Sequence, residues 1–135
     1  MANTKVLSTL AGSGKDRLIV RHLHLVSDGT NETDYVMYDP ASFGLNVNTG
    51  VLKAVKAGGK ATGVCRLEWD ATTDVPIVSF SPSYALDLEF SPIQGHPNPN
   101  TSGATGKIQL TTIGLASGDE FFITLYILQQ PAAQS

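Results

Sequence analysis

Cys65-Arg66-Leu67-Glu68-Trp69-Asp70 is the stretch whose reading decides the fold, because its odd positions through Trp69 are apolar and its even positions charged. Successive side chains of an extended chain point to opposite faces. A period of two therefore places Cys65, Leu67 and Trp69 inside and Arg66 and Glu68 in solvent, as in a half-buried strand. The same alternation recurs where Leu86, Leu88 and Phe90 flank Asp87 and Glu89, and where Ile108 and Leu110 interleave with Lys107 and Gln109. No segment carries a helical apolar period.

Outward from these strands, turn-forming Gly, Pro, Asn and Asp cut the chain into about nine short β-type runs. Val6 to Leu10 is closed by Ala11-Gly12-Ser13-Gly14. Leu18 to Ser27 turns at Asp28-Gly29-Thr30-Asn31-Glu32 and is answered by Tyr35 to Tyr38, which reads as a hairpin. Val51 to Lys56 lies between the turn signals Asn48-Thr49-Gly50 and Gly58-Gly59, since Gly and Asn tolerate positive φ. Ile77 to Phe80 has Pro76 and Pro82 at its ends, where a missing N–H does least harm. The expectation is one all-β antiparallel domain over residues 1–135. Residues 1–17 form an N-terminal arm and first short strand, 92–106 a long exposed loop, and 129–135 a C-terminal tail. Strand count and alternation are common to sandwiches and closed barrels, so this pattern leaves both open.

At 135 residues the chain can bury a core without metal or disulfide staples. A net charge of -3 and a charged fraction of 16% give no electrostatic footprint for nucleic acid or an anionic membrane, and neither partner is expected. Cys65 is the sole cysteine, so no intrachain disulfide forms and synthesis in a cytosol fits. No apolar run approaches the roughly 20 residues of a membrane span, and Met1-Ala2-Asn3-Thr4-Lys5 is followed by no signal-type apolar region.

Two runs break the alternation. Phe121 to Leu128 is apolar on both faces and Leu18 to Val26 nearly so. An antiparallel sheet normally wets one face, so the second face needs a covering loop or tail of the same chain, a neighbouring subunit, or a larger assembly. Leu18, Val20, His22, His24, Phe122, Tyr126 and Leu128 are the interface candidates on these runs. His96 and Asn98 are those on the 92–106 loop.

Chemical motifs fall short one by one. Gly12-Ser13-Gly14-Lys15 has Thr9 and Asp16 where a phosphate-binding loop needs Gly and Ser or Thr. His22-x-His24 puts two imidazoles on one strand face, with Asp28 or Glu32 near, a pattern that faintly resembles the first cupin motif. His96, in Gly95-His96-Pro97, lacks the flanks of the second, and no metal is expected. Asp28, Asn31, Glu32 and Asp34 do not follow calcium-loop spacing and read as a solvated hairpin tip. Asp87 and Glu89 share a strand face without the second strand of carboxylates that glycoside chemistry needs. There is no G-x-S-x-G elbow, and Cys65 reads as a small core residue. Trp69, Tyr84, Phe90 and Tyr126 could line a carbohydrate platform, although Trp69 shares the inward parity of Leu67. No catalytic residue and no cofactor is expected.

The run His24-Leu25-Val26-Ser27-Asp28-Gly29-Thr30-Asn31-Glu32-Thr33-Asp34-Tyr35-Val36, the segment Cys65 to Asp70 and the closing Ser117-Gly118-Asp119-Glu120-Phe121 resemble small virion structural proteins of tailed bacteriophages in texture and order. That resemblance implies a jelly-roll-like β-sandwich that decorates or cements the capsid by binding the major capsid protein or other virion proteins, on the capsid surface, as a homo-oligomer of two or three chains. The alternative is a tail- or vertex-associated glycan-binding module. Met1 to Leu10 or Pro131 to Ser135 is the expected docking arm.

Overall fold

The computed structural model describes residues 3–11, 18–43, 50–89, 96–97 and 103–129. In chain order these form β1 (Thr4–Ala11), β2 (Leu18–Asp28), β3 (Tyr35–Tyr38), a 3-10 turn (Pro40–Phe43), β4 (Gly50–Lys60), β5 (Val64–Trp69), β6 (Val75–Phe80), β7 (Leu86–Glu89), β8 (His96–Pro97), β9 (Ile108–Ile113) and β10 (Ser117–Gln129). They pair throughout as antiparallel neighbours in two sheets. The larger runs β1-β2-β10-β4-β7, with β8 also on β4, and the smaller runs β3-β9-β5-β6. The protein is an all-β sandwich.

Parity builds the core as the sequence predicts. Cys65, Leu67 and Trp69 of β5, with Ile108 and Leu110 of β9, pack in one buried cluster with Ile19, Leu23 and Leu25 of β2, Val55 and Ala57 of β4, and Phe121, Ile123, Leu125 and Ile127 of β10. Packing these inner rows against each other removes enough apolar area from water to hold the two sheets together. Polar pins close the ends of the sandwich. Tyr38 donates its hydroxyl to Gln129 Oε1 at 2.7 Å, and both residues are fully buried. Asp119 accepts hydrogen bonds from the Ala116 N–H (2.9 Å), the Thr62 N–H (3.0 Å) and the Thr62 hydroxyl (3.1 Å), tying the start of β10 to the β4–β5 turn.

Six local expectations are corrected. Thr4–Ala11 is no free arm: it is the edge strand of the larger sheet, paired with β2 from Thr4↔Val26 to Ala11↔Val20. The segments β2 and β3 are not a hairpin, because both edges of β2 are taken by β1 and β10, so the chain crosses to the other sheet. That crossing is fixed on β9, where Thr112 N–H donates to Glu32 O (2.9 Å) and Glu32 N–H to the Thr112 hydroxyl (2.7 Å). Glu32 itself is buried, accepting from Asn3 Nδ2 and Lys5 Nζ, both at 2.7 Å, so the acidic turn is not simply a solvated tip.

Gly58-Gly59 is not a turn but lies inside β4. Gly59 has φ +143°, and a Cβ there would collide with the backbone of Glu120 and Phe121, so glycine serves the close approach of two strands. Glu68, expected in solvent, is buried. Finally, the 92–106 segment is anchored at the points described: His96–Pro97 pair with Leu52 and Val51, and Thr105 donates both its N–H and its hydroxyl to Asp70. Asn98, Gly12 to Lys15, Phe90 and residues 130–135 lie outside the described residues.

Ile123 sits fully buried at the centre of the larger sheet, paired with Leu23 and Ala57. Ile123→Ala is expected to cost about 2–5 kcal/mol in urea unfolding. Val6→Ala, at an edge position 58% exposed, is expected to change stability by no more than about 0.5 kcal/mol.

Candidate functional site

The even-numbered residues of β2 and β10 share the outer face of the larger sheet, and the antiparallel register lays them side by side. Leu18 pairs with Leu128, Val20 with Tyr126, His22 with Thr124 and His24 with Phe122. All seven strand candidates predicted from the sequence thus meet on one surface. On the flanks, β1 adds Val6 beside His24 and Ser8 beside His22, while β4 adds Gly58 beside Phe122, Lys56 beside Thr124 and Ala54 beside Tyr126. Of the two loop candidates, His96 is placed in β8, alongside β4, and Asn98 lies outside the described residues.

This face is apolar at its rim and tied by polar contacts at its centre. Val6, Leu18 and Phe122 are 58%, 47% and 38% exposed, whereas Val20 and Thr124 are buried between taller neighbours. The His22 ring stacks on Phe122 with centroids 5.8 Å apart and planes at 25°, and its Nδ1 lies 2.8 Å from the Thr124 hydroxyl. His24 Nε2 is 2.8 Å from Glu120 Oε2, and both side chains are exposed. Lys56 Nζ sits 5.6 Å from the centre of the Tyr126 ring. Gly58 leaves room for the Phe122 ring beside the neighbouring strand, since a Cβ there would come within 3.1 Å of it. The result is a stiff surface of rings and aliphatic groups.

The two histidines therefore have partners other than a metal. Among the described residues no third histidine, cysteine or carboxylate closes a ligand set with them. Burial pushes the Cys65 thiol up to about 12, which removes the thiolate that nucleophilic chemistry requires. Trp69 is fully buried, so it belongs to the core and not to a sugar platform, and Tyr84, in the turn between β6 and β7, is strongly exposed.

A different group was hidden from sequence reading. Asp34, before β3, Glu68 in β5 and Asp74, before β6, bring one carboxylate oxygen each within 4.8 Å of the others. Glu68 and Asp74 are six residues apart across the β5–β6 hairpin, but Asp34 lies 34 residues before Glu68 and reaches them only through the pairing of β3 with β9 and of β9 with β5. Burial raises the carboxyl pKa of Glu68, and repulsion from Asp74 and Asp34 adds to this while Arg66 opposes it.

A scan against protein-family models, a search of curated proteins and a search of solved structures each find no match to this chain.

Two outcomes follow from these geometries. Phe122→Leu is expected to cost less than about 1.5 kcal/mol in urea unfolding, because the ring is 38% exposed and packs on one side only. For Glu68 the folded state binds a proton more tightly than the unfolded chain, so stability falls as pH rises from the ordinary carboxylate pKa through the raised one. Glu68→Gln is expected to raise the melting temperature in metal-free buffer at pH 7, with the gain vanishing at acidic pH; an equal gain at both ends of the pH range would contradict that origin.

Proposed function

We propose that this chain is a non-enzymatic phage virion structural protein that decorates or cements the capsid, binding the major capsid protein through the outer face of its larger sheet. The observation that carries the reading is the gathering of Leu18, Val20, His22, His24, Phe122, Tyr126 and Leu128 on one surface whose exposed positions include the apolar Leu18 and Phe122, with Val6 beside them. A sheet face of this kind, with no catalytic group assembled around it among the described residues, is what a docking protein needs.

Strand order supports the same reading. The series β2-β10-β4-β7 faces β3-β9-β5-β6, and the chain passes repeatedly between the sheets. We take this as a jelly-roll arrangement, an architecture used by viral capsid proteins, lectins and cupins alike. Within that group the cupin alternative loses support, because His22 and His24 project from the outer face and pair with Thr124 and Glu120. The glycan-binding alternative loses Trp69 to the core.

Docking through a free N-terminal arm is replaced by docking through the sheet face next to β1. Copies of the chain, as dimers or trimers at capsid symmetry axes, would repeat one modest contact and gain avidity. The protein would be made in the host cytoplasm and then occupy the capsid surface.

Sedimentation with empty phage heads through a density gradient tests the reading. Saturating association at a symmetry-related copy number is expected, with Val6→Asp/Phe122→Asp reducing it by about tenfold or more while the fold is retained. Association unchanged by that double substitution would exclude this face, and no association at all would move the protein to the tail or to glycan binding.

A further inference from the structure

We propose that Asp34, Glu68 and Asp74, together with the side-chain carbonyl oxygen of Gln109, form a binding site for a hard divalent cation, calcium in the first instance, on the outer face of the smaller sheet. This site is separate from the docking face and does not depend on the capsid reading.

Three observations converge. The carboxylate oxygens of the three acids lie within 4.8 Å of one another, close enough for one ion to touch them all. Gln109 stands directly across from Glu68 in the β5–β9 register and across from Val36, two residues after Asp34, in the β3–β9 register. Directly paired residues of antiparallel strands project to the same side of the sheet, so the Gln109 side chain lies beside Glu68 on the face that carries the acidic cluster. It is 7% exposed, and its Oε1 is buried without a hydrogen-bond partner.

A buried carbonyl oxygen with no donor is costly on its own, and next to carboxylates it has no anionic use. A cation resolves both problems at once. It gives Oε1 a partner and offsets the mutual repulsion of three carboxylates, one of which, Glu68, is itself buried. All the ligands are oxygens, from carboxylates and an amide. That set selects calcium, magnesium or manganese over zinc or copper, which prefer nitrogen and sulfur. The carboxylates can each bind through one or two oxygens, so the flexible, high coordination number of calcium is met most easily.

The ligands also come from separate places. Asp34 ends the crossing from the larger sheet, Asp74 belongs to the turn between β5 and β6, and Glu68 and Gln109 lie on the paired strands between them. An ion there would fasten the crossing and the turn to the sheet, and with them the 103–107 segment, which Thr105 binds to Asp70. Cation binding would then be coupled to stability.

The test is titration calorimetry of the full chain, stripped with EDTA, against calcium chloride, together with melting curves. One ion per chain with a Kd at or below about 1 mM is expected, along with a higher melting temperature in calcium. Glu68→Gln and Asp74→Asn should each weaken binding by about tenfold or more and remove the calcium-dependent rise. Their ion-free melting temperatures should be no lower than the parent's, so that a loss of binding cannot be ascribed to unfolding. Gln109→Leu should also weaken binding, although it changes no charge. Absence of saturable binding with calcium, magnesium or manganese, or binding that survives Glu68→Gln, overturns the site. Binding that Gln109→Leu leaves untouched overturns the four-ligand arrangement.

Discussion

The register of β10 between β2 and β4 is the constraint on which the rest of the molecule depends. Thirteen residues long, β10 is paired along almost its full length on both sides. Its odd residues Phe121, Ile123, Leu125 and Ile127 complete the core, and its even residues Phe122, Tyr126 and Leu128 build the outer face. A slip of one residue would exchange the two sets, exposing four core residues and burying the surface rings, so apolar burial fixes the register firmly. Core and candidate interface are thus opposite sides of one pairing decision.

That decision explains why the outer face is ordered enough to serve as an interface. His22 is held between Phe122 and Thr124, Phe122 lies beside Gly58, and Lys56 Nζ sits near the Tyr126 ring. Side chains fixed before binding lose less entropy when a partner arrives, which lets a modest patch contribute affinity. The His24–Glu120 pair, exposed on both sides, adds little stability and serves better as a polar mark at the edge of the patch.

How much of this was legible in the sequence depended on the range of the interaction. Alternation in Cys65 to Trp69 placed Leu67 and Trp69 in the core because strand parity is a local property. The doubly apolar runs at Leu18 to Val26 and Phe121 to Leu128 marked the two strands that carry the outer face, for the same reason. What failed was non-local. The same period put Glu68 in solvent, but burial of the outer face of β5 is set by what β3, β6 and β9 bring beside it. The Gly58-Gly59 pair gave a turn signal, yet its role is to admit Phe122 and the backbone of β10. The hairpin between β2 and β3 was the natural local choice, and competition from β1 and β10 for the edges of β2 displaced it. The cluster of Asp34, Glu68 and Asp74 needs the long-range pairing of β3, β9 and β5 to bring Asp34 to the β5–β6 hairpin, which no local pattern shows.

Hydroxyl-radical footprinting of the isolated chain and of the same chain on intact phage particles tests the central claim most directly, because it reads side-chain exposure residue by residue. The account predicts that Phe122, Leu18 and Tyr126 react in the free protein and are protected on the particle, while Tyr84, 79% exposed in the turn between β6 and β7, reacts equally in both. Protection of Tyr84 with Phe122 and Leu18 unchanged would contradict it, and would place the contact on another surface of the sandwich.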